Sequence, residues 1–347
     1  MKNYFLLPGV MKLCLCFVQA LLVFGSCSTG DAGNPARMMG GSSQALLYLN
    51  HKAVSDDEIE FVFSRPVTVK YLSFSPEISV HSIENGSTVR VKLAEAPEPG
   101  KMITADLVAE DEKRNSINAL VSFRARNNRM PDLVINEVCT EYANAAAGRK
   151  SEFIEFVMKS SGNLGGMRVF IVGNSNAAKE TIFEFSPVEV KSGDYVVLHL
   201  RSYDPSNKDE YGTDLAESGG INSSPTARDF WIPGETKLLH KTAMIYVLDQ
   251  DDKVINAVIL CENPNAPWPK DYFFDTANFL FLKGAWKSAD GITCRPSDAV
   301  SSAGTTNTRT ICRDETAENS NSAADWYITA TSSATPGGPN NPKRYLN

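Results

Sequence analysis

The chain has 347 residues, of which 42% are hydrophobic and 22% are charged. This is an ordinary balance for a globular protein, and the length leaves room for two domains with their own cores. The formal net charge is −7. Because an acidic chain gains no nonspecific affinity from a phosphate backbone, the composition argues against nucleic acid as a partner.

The first 26 residues have the pattern of an export signal. Lys12 precedes an apolar run over residues 13–24, and the small residues Gly25 and Ser26 follow. The run is too short for a comfortable transmembrane span. Small residues directly before Cys27 resemble the lipobox of bacterial lipoproteins, in which this cysteine is acylated and becomes the first residue of the mature chain.

The lipobox resemblance implies that residues 1–26 are a signal peptide and that Cys27 carries lipid. The lipid would anchor the exported chain to the bacterial cell envelope, at the outer membrane or the cell surface. A plain secretory signal with an incidental cysteine is the alternative. Loss of the signal removes two lysines and no acid, which changes the formal charge to 32 − 41 = −9. Residues 27–43 contain almost nothing to bury and predict a flexible tether.

Short strands with turn residues between them are predicted over residues 44–128. In one of them the apolar side chains of Ile59, Phe61 and Phe63 fall on one face, which is the period-2 pattern of a half-buried strand. The run Phe-Val-Phe-Ser-Arg-Pro-Val at 61–67 and the segment 106–123 resemble the bacterial immunoglobulin-like domains of S-layer type. The resemblance implies a small β-sandwich, which the short segment 127–131 joins closely to the next domain.

The rest of the chain carries a second β pattern. Predicted strands at 133–138, 152–157, 169–173 and 195–200 are followed by a late Trp-Tyr-Ile-Thr strand at 326–329 and by the sequence Thr-Pro-Gly-Gly-Pro-Asn at 335–340. In this order they resemble the lamin tail domain, an immunoglobulin-like sandwich. The resemblance implies a second sandwich over residues 132–342, with insertions near 201–240 and 262–325. It implies no catalytic residues.

The predicted fold class is therefore all-β. Two tandem immunoglobulin-like β-sandwiches are expected, the second with loop insertions and one short helix. The helix is predicted within residues 271–287, where Tyr272, Phe273, Thr276, Leu280 and Phe281 recur along one side. This aromatic side is expected to cover the sandwich and not to form a ligand groove.

Four cysteines remain after the signal and Cys27. In an exported chain, Cys139, Cys261, Cys294 and Cys312 favour disulfides over metal, although three pairings are open. A bond between Cys294 and Cys312 is preferred, because it would close a loop with little apolar content. Cys139 and Cys261 would form the second bond, unless either is simply a small buried hydrophobic residue.

No catalytic motif is present, and no catalytic residue is predicted. The sequence contains no His-Glu-x-x-His, Gly-x-Ser-x-Gly, phosphate loop or paired Cys-x-x-Cys. Glu137, Glu152 and Glu155 lie on two strands that are expected to be neighbours, where they would serve acid/base chemistry, bind calcium or form ion pairs. Ion pairing is the favoured interpretation, with the nearby cations Arg149, Lys150 and Lys159. His199 is interpreted as a structural histidine and not as a metal ligand.

Two further groups are candidates for binding. Asp249, Asp251 and Asp252 in a predicted turn offer oxygen ligands for a weak Ca²⁺ site, but they lack EF-hand spacing, so solvated turn acids are the default. No other cofactor or metal is predicted. Phe230 and Trp231 in the first insertion are predicted to form a partner-binding loop, with anchoring of the insertion as the alternative.

The sequence thus predicts a membrane-anchored, non-catalytic lipoprotein. Its domains would act in binding, adhesion or envelope scaffolding, toward a protein or glycan partner. The alternative is an accessory module or a hydrolase that acts on envelope or host polymers, because lamin tail domains are often attached to secreted hydrolases. No hydrolase domain fits in the residues left over, and nucleic-acid binding conflicts with the acidic charge.

Overall fold

A computed structural model describes residues 45–145, 148–173 and 182–346. Cys27 and the predicted signal and tether therefore lie outside the described residues. The described chain is nearly all β, which confirms the predicted fold class. No helix among these residues has the length and apolar content needed to cross a membrane.

The first domain is a six-stranded sheet that folds over its own core. Its strands are β1 (Tyr48–Ala53), β2 (Glu58–Ser75), β3 (Val80–Glu84), β4 (Gly86–Leu93), β5 (Met102–Asp111) and β6 (Ser116–Arg124). The long strand β2 pairs with β1 and β4 along its first half and with β5 along its second half. Ile59, Phe61 and Phe63 are buried in the core, as their alternation predicts.

The second domain is a sandwich of two main sheets. Its elements are β7 (Leu133–Cys139), β8 (Ala143–Ala145), β9 (Gly148–Lys150), β10 (Phe153–Met158), β11 (Gly162–Asn163), β12 (Arg168–Val172), β13 (Phe183–Glu184), β14 (Glu189–Val190), β15 (Tyr195–His199), β16 (Ala227–Trp231), β17 (Ala243–Leu248), β18 (Val254–Cys261), the helix α1 (Asp271–Leu282), β19 (Val300–Ser301), β20 (Ile311–Arg313) and β21 (Trp326–Ile328), with 3₁₀ helices at Pro296–Asp298 and Ala323–Asp325. One sheet has the order β16-β15-β10-β7-β20-β21 and the other β13-β12-β17-β18-β19.

One large hydrophobic core fills the space between these sheets. Alternate residues of β7 and β10, such as Ile135, Ile154 and Phe156, belong to it. The predicted helix is confirmed as α1, which contacts β17 and β18 and buries Phe273 and Leu280. As expected, the aromatic side of the helix covers the sandwich.

The two segments predicted as insertions are partly built into the sheets. Residues 201–240 contribute β16, which runs parallel to β15 at the sheet edge. Residues 262–325 contribute β19 and β20, and β20 pairs with the central strand β7. The segments are therefore structural components of the sandwich as well as loops.

The predicted disulfides are not formed, and all four cysteines of the described chain are buried free thiols. Each predicted pair joins different layers: Cys139 and Cys312 lie in the β7 sheet, whereas Cys261 lies in the β18 sheet and Cys294 packs beside α1. Burial raises the pKa of Cys139 and of Cys294 to about 12, so these thiols stay protonated. The cysteines act as small hydrophobic residues.

The chain passes through the two domains from end to end. Arg65 bonds to the carbonyl oxygen of Ala45 and pairs with Asp111, so the chain enters the first domain beside the β5–β6 turn. It leaves at the opposite end, where β6 finishes at Arg124. The strand β7 then starts at the junction and leads away from it. The strands β5 and β7, one in each domain, together have a contour length of roughly 56 Å, since they hold 17 residues at ~3.3 Å each.

Candidate functional site

The junction between the domains is held by hydrogen bonds from a buried asparagine. The backbone N–H of Asn127 donates to Oε1 of Gln250 at 2.8 Å, and Nε2 of Gln250 donates to the carbonyl oxygen of Asn127 at 3.0 Å. The side chain of Asn127 donates to the carbonyl oxygens of Asn163 and Gly165 at 2.7 and 2.9 Å. The junction is therefore a specific contact and not only a covalent link.

Glycines allow the two backbones to approach at this junction. A Cβ atom on Gly165 would lie 2.3 Å from the carbonyl oxygen of Pro99, and one on Gly100 would lie 2.4 Å from the amide nitrogen of Gly166. Gly100 also has φ +75°, which favours glycine. The Leu-Gly-Gly turn of the second domain thus serves the contact with the first.

The predicted calcium candidates are part of this junction and its turn. Asp251 forms a two-pronged ion pair with Arg126 at 2.8 and 3.1 Å. Asp252 pairs with Arg168 at 2.6 Å, and Oδ1 of Asp249 accepts two backbone N–H groups of the turn. Within the described ranges, no group of three or more His, Cys, Asp or Glu side chains is arranged to hold a metal ion.

Glu137 and Glu155 are brought together, because they face each other in the β7–β10 pairing. Both side chains are fully buried. Thr310 donates its hydroxyl hydrogen to Glu137, which also accepts the backbone N–H of Thr335 at 3.0 Å. Glu155 accepts the backbone N–H of Gly337 at 2.6 Å. The two carboxyl groups therefore bind the C-terminal segment across the outer face of the sheet.

Burial raises the pKa of Glu155 well above its usual value, and the neighbouring Glu137 raises it further. Burial also raises the pKa of Glu137, against the hydrogen bonds that it accepts. A perturbed carboxyl pair is a common feature of catalytic sites. Here, however, the hydrogen-bonding capacity is taken up by the chain itself, and neither residue lines the polar cavity described below.

The third glutamate has a different partner from those expected. Glu152 is buried and accepts a hydrogen bond from Nη2 of Arg201 at 2.6 Å, while Arg149 pairs with Glu235. Burial raises the pKa of Glu152, although Arg201 opposes the shift. The prediction of an ion pair is confirmed for Glu152, although the partner comes from the segment after β15. It was wrong for Glu137 and Glu155, which accept hydrogen bonds from hydroxyl, amide and backbone N–H groups.

The prediction of a partner-binding loop at Phe230 and Trp231 was wrong. Both residues are buried in β16, where Phe230 faces the core. The Trp231 ring stacks on His199 with 3.7 Å between ring centroids, and Nε2 of His199 is 2.7 Å from Oδ1 of Asp229. These aromatic residues anchor the first insertion, and His199 is a buried structural histidine.

A polar cavity lies at the end of the second sandwich that is farthest from the junction. It is formed by residues 141–142 after β7, 240–242 before β17, Glu262 after β18, and 305–307 between β19 and β20. Its volume is about 580 Å³, within the usual range for small-molecule sites. Loops gathered at one end of a sandwich commonly carry binding sites. We call it the distal cavity.

Tyr142 is the aromatic residue of the distal cavity. Its side chain is 44% exposed, and its ring lies 4.2 Å from the guanidinium carbon of Arg201. Arg201 is itself fixed by Glu152 and by the carbonyl oxygen of Glu235. A buried ion pair therefore supports an exposed aromatic ring at the cavity wall.

Charges around the distal cavity are paired. Nζ of Lys237 is 2.8 Å from Glu141, and Nζ of Lys241 is 3.7 Å from Glu262. Burial lowers the pKa of His240, with a further contribution from Lys237, so its imidazole is neutral at pH 7. The sequence did not indicate this site, because its four segments are far apart in the chain and match no motif.

Comparison with known proteins identifies the second domain. Residues 131–328, more than half of the chain, match the family model TP_1001_2nd, described as a protein second domain. The chain belongs to the TP_1001_2nd family. All the segments of the distal cavity lie within the range that this family model matches.

One relative of this TP_1001_2nd chain is a protein of Treponema pallidum (strain Nichols), described as uncharacterized, with 26% identity over 217 residues. The match includes 59% of this chain and 52% of the relative, so the chain spans about half of the relative's length. A DUF4876 family protein from Bacteroides thetaiotaomicron matches in structure with 12% identity and a TM-score of 0.31, over 75% of this chain and 90% of that one.

Proposed function

We propose that this chain is a non-catalytic, lipid-anchored protein of the bacterial cell envelope that holds a binding site away from the membrane. The observation that carries the proposal is the linear order of the molecule. The chain enters the first domain at one end, the junction lies at the other, and the distal cavity lies at the far end of the second domain.

The anchor in this proposal is Cys27, which the lipobox pattern indicates. Acylation would fix the end of the molecule that is opposite the distal cavity, because Cys27 precedes the entry point by 18 residues. Buried acyl methylenes contribute about 0.8 kcal/mol each, so a multiply acylated residue holds firmly to a membrane. The hydrogen bonds of Asn127 support the extended arrangement, since they oppose bending at the junction.

A relationship between the second domain and the lamin tail domain is part of the same proposal. The C-terminal Thr-Pro-Gly-Gly-Pro-Asn segment, on which that resemblance depends, is bound by Glu137 and Glu155 in the sandwich. Asn340 ends the segment and donates to the carbonyl oxygens of Asn136 and Arg313. These bonds give the motif a structural role. No observation on the described residues favours the alternative of a hydrolase, because the buried carboxyl pair has no access to the cavity.

The anchor is tested by intact mass and detergent partitioning of the full chain produced in a bacterial host with lipoprotein processing. Wild type is expected to carry an acyl mass on Cys27 and to enter the detergent phase. Cys27→Ala should remain unacylated, and the control Ser26→Ala should be processed as wild type, because it keeps a small residue before the cysteine. A freely soluble wild-type protein that begins at another residue would refute the anchored arrangement.

A further inference from the structure

We propose that the distal cavity is a carbohydrate-binding site for a neutral mono- or disaccharide unit of a glycan. The inference deepens the proposed function, and it rests on the cavity as a binding site but not on the lipid anchor. Three features of the cavity support it: balanced charge, a fixed aromatic ring and polar groups with open hydrogen-bonding capacity.

Charge balance favours a neutral ligand. Glu141 and Glu262 each have a lysine partner, Lys237 and Lys241 respectively, so no net charge is left to attract an ion. An anionic ligand would have to displace a carboxylate, and a cationic ligand would have to displace an ammonium group. The paired groups still present both acceptors and donors, which match the vicinal hydroxyl groups of a sugar.

Tyr142 provides the apolar contact that a sugar ring requires. The C–H face of a pyranose packs against an aromatic ring, and a ring that is already fixed loses little entropy on binding. Tyr142 is fixed by Arg201 beneath it, while 44% of its surface stays exposed. The other lining residues are polar, so the cavity offers no apolar pocket for the side chain of a peptide.

Hydrogen-bonding capacity is open at Asn307 and at Tyr142. Within the described ranges, neither the amide of Asn307 nor the hydroxyl of Tyr142 bonds to another residue. An amide donates and accepts at once, which suits a pair of adjacent hydroxyl groups. By contrast, Thr305 is already bonded to Thr140 and to the carbonyl oxygen of Ser302, and it acts as a support of the loop.

The experiment is saturation-transfer NMR on the full chain with four neutral disaccharides as probes: lactose, maltose, cellobiose and chitobiose. At least one probe should receive saturation, strongest at its ring C–H protons. Tyr142→Ala should abolish this signal, whereas Tyr142→Phe, which keeps the ring and loses only the hydroxyl, should retain a weaker signal. The matched control is Tyr211→Ala, which removes another exposed tyrosine, 51% exposed, from a different loop.

Asn307→Ala should weaken the binding of the responding probe by a few-fold to about tenfold, the cost of one or two hydrogen bonds. Thermal unfolding of each variant identifies any loss of fold, and Tyr142→Phe keeps the ring on Arg201 in any case. The inference is overturned if none of the four probes binds, or if binding survives both Tyr142→Ala and Asn307→Ala. If either result is obtained with a protein whose Cys27 is acylated, the binding proposal fails but the anchored arrangement does not.

Discussion

Asn127→Ala tests whether the junction stabilises the second domain. The substitution removes three side-chain hydrogen bonds: two donated to the carbonyl oxygens of Asn163 and Gly165, and one accepted from the backbone N–H of Arg129. At about 0.5–1.5 kcal/mol for each bond, the free energy of unfolding should fall by about 1.5–4.5 kcal/mol. The upper half of this range is expected, because Asn127 is buried and leaves two carbonyl groups without partners.

Tryptophan fluorescence in urea is a suitable assay for this change. The chain has four tryptophans, and all of them (Trp231, Trp268, Trp286 and Trp326) lie in the second domain, so the signal reports on that domain alone. Asn128→Ala is the matched control. Its side chain is exposed and makes no hydrogen bond to the described residues, so its effect should stay within about 0.5 kcal/mol. Equal unfolding midpoints for the two variants would refute the structural role of the junction.

Two further predictions concern the C-terminal segment. The raised pKa of Glu155 means that its protonated form is favoured in the folded state. This stabilisation is present below the unfolded pKa near 4.5 and is lost as pH rises through the folded value. Glu155→Gln should therefore flatten the fall of the melting temperature as pH rises above about 4.5, and an unchanged slope would contradict the assignment. Gly337→Ala should cost more than about 2 kcal/mol in urea unfolding, because φ is +83° and the new Cβ would lie 2.3 Å from Oγ of Ser224. Gly338→Ala, where the nearest atom is 3.9 Å away, should cost much less, and equal losses would show that the segment is not tightly held.

The local sequence pattern was sufficient to predict a strand where that strand has one apolar face or is mostly apolar. The alternation of Ile59, Phe61 and Phe63 gave the right inward face, and the predicted strand at 133–138 differs from β7 by one residue. The sequence also placed Glu137 and Glu155 on neighbouring strands. In these cases the physical signal, apolar burial on a strand, lies within a few consecutive residues.

Pattern failed where a partner is distant in the chain. The strand β16 was missed because its sequence Ala-Arg-Asp-Phe-Trp includes Asp229, an acidic residue that is buried with hydrogen bonds to His199 and to the backbone N–H of Ser224. The strand β20 has three residues, which is too short for a periodic signal. The prediction of disulfides failed for the same reason, because the spacing of cysteines along the chain does not show which layer of the sandwich holds each thiol.

The buried carboxyl pair and the distal cavity of the second domain differ in whether their polar atoms are already hydrogen-bonded within the chain. Glu137 and Glu155 are buried, and their oxygen atoms accept hydrogen bonds from Thr310, Thr335 and Gly337. A ligand would have to break bonds that hold the C-terminal segment in place. At the distal cavity, the ion pair of Glu152 and Arg201 supports the Tyr142 ring from one layer down, while the groups above it keep open hydrogen-bonding capacity. A site with a fixed support and open donors and acceptors binds a ligand at low entropic cost. For this reason we assign binding to the distal cavity, although the perturbed carboxyl groups lie elsewhere.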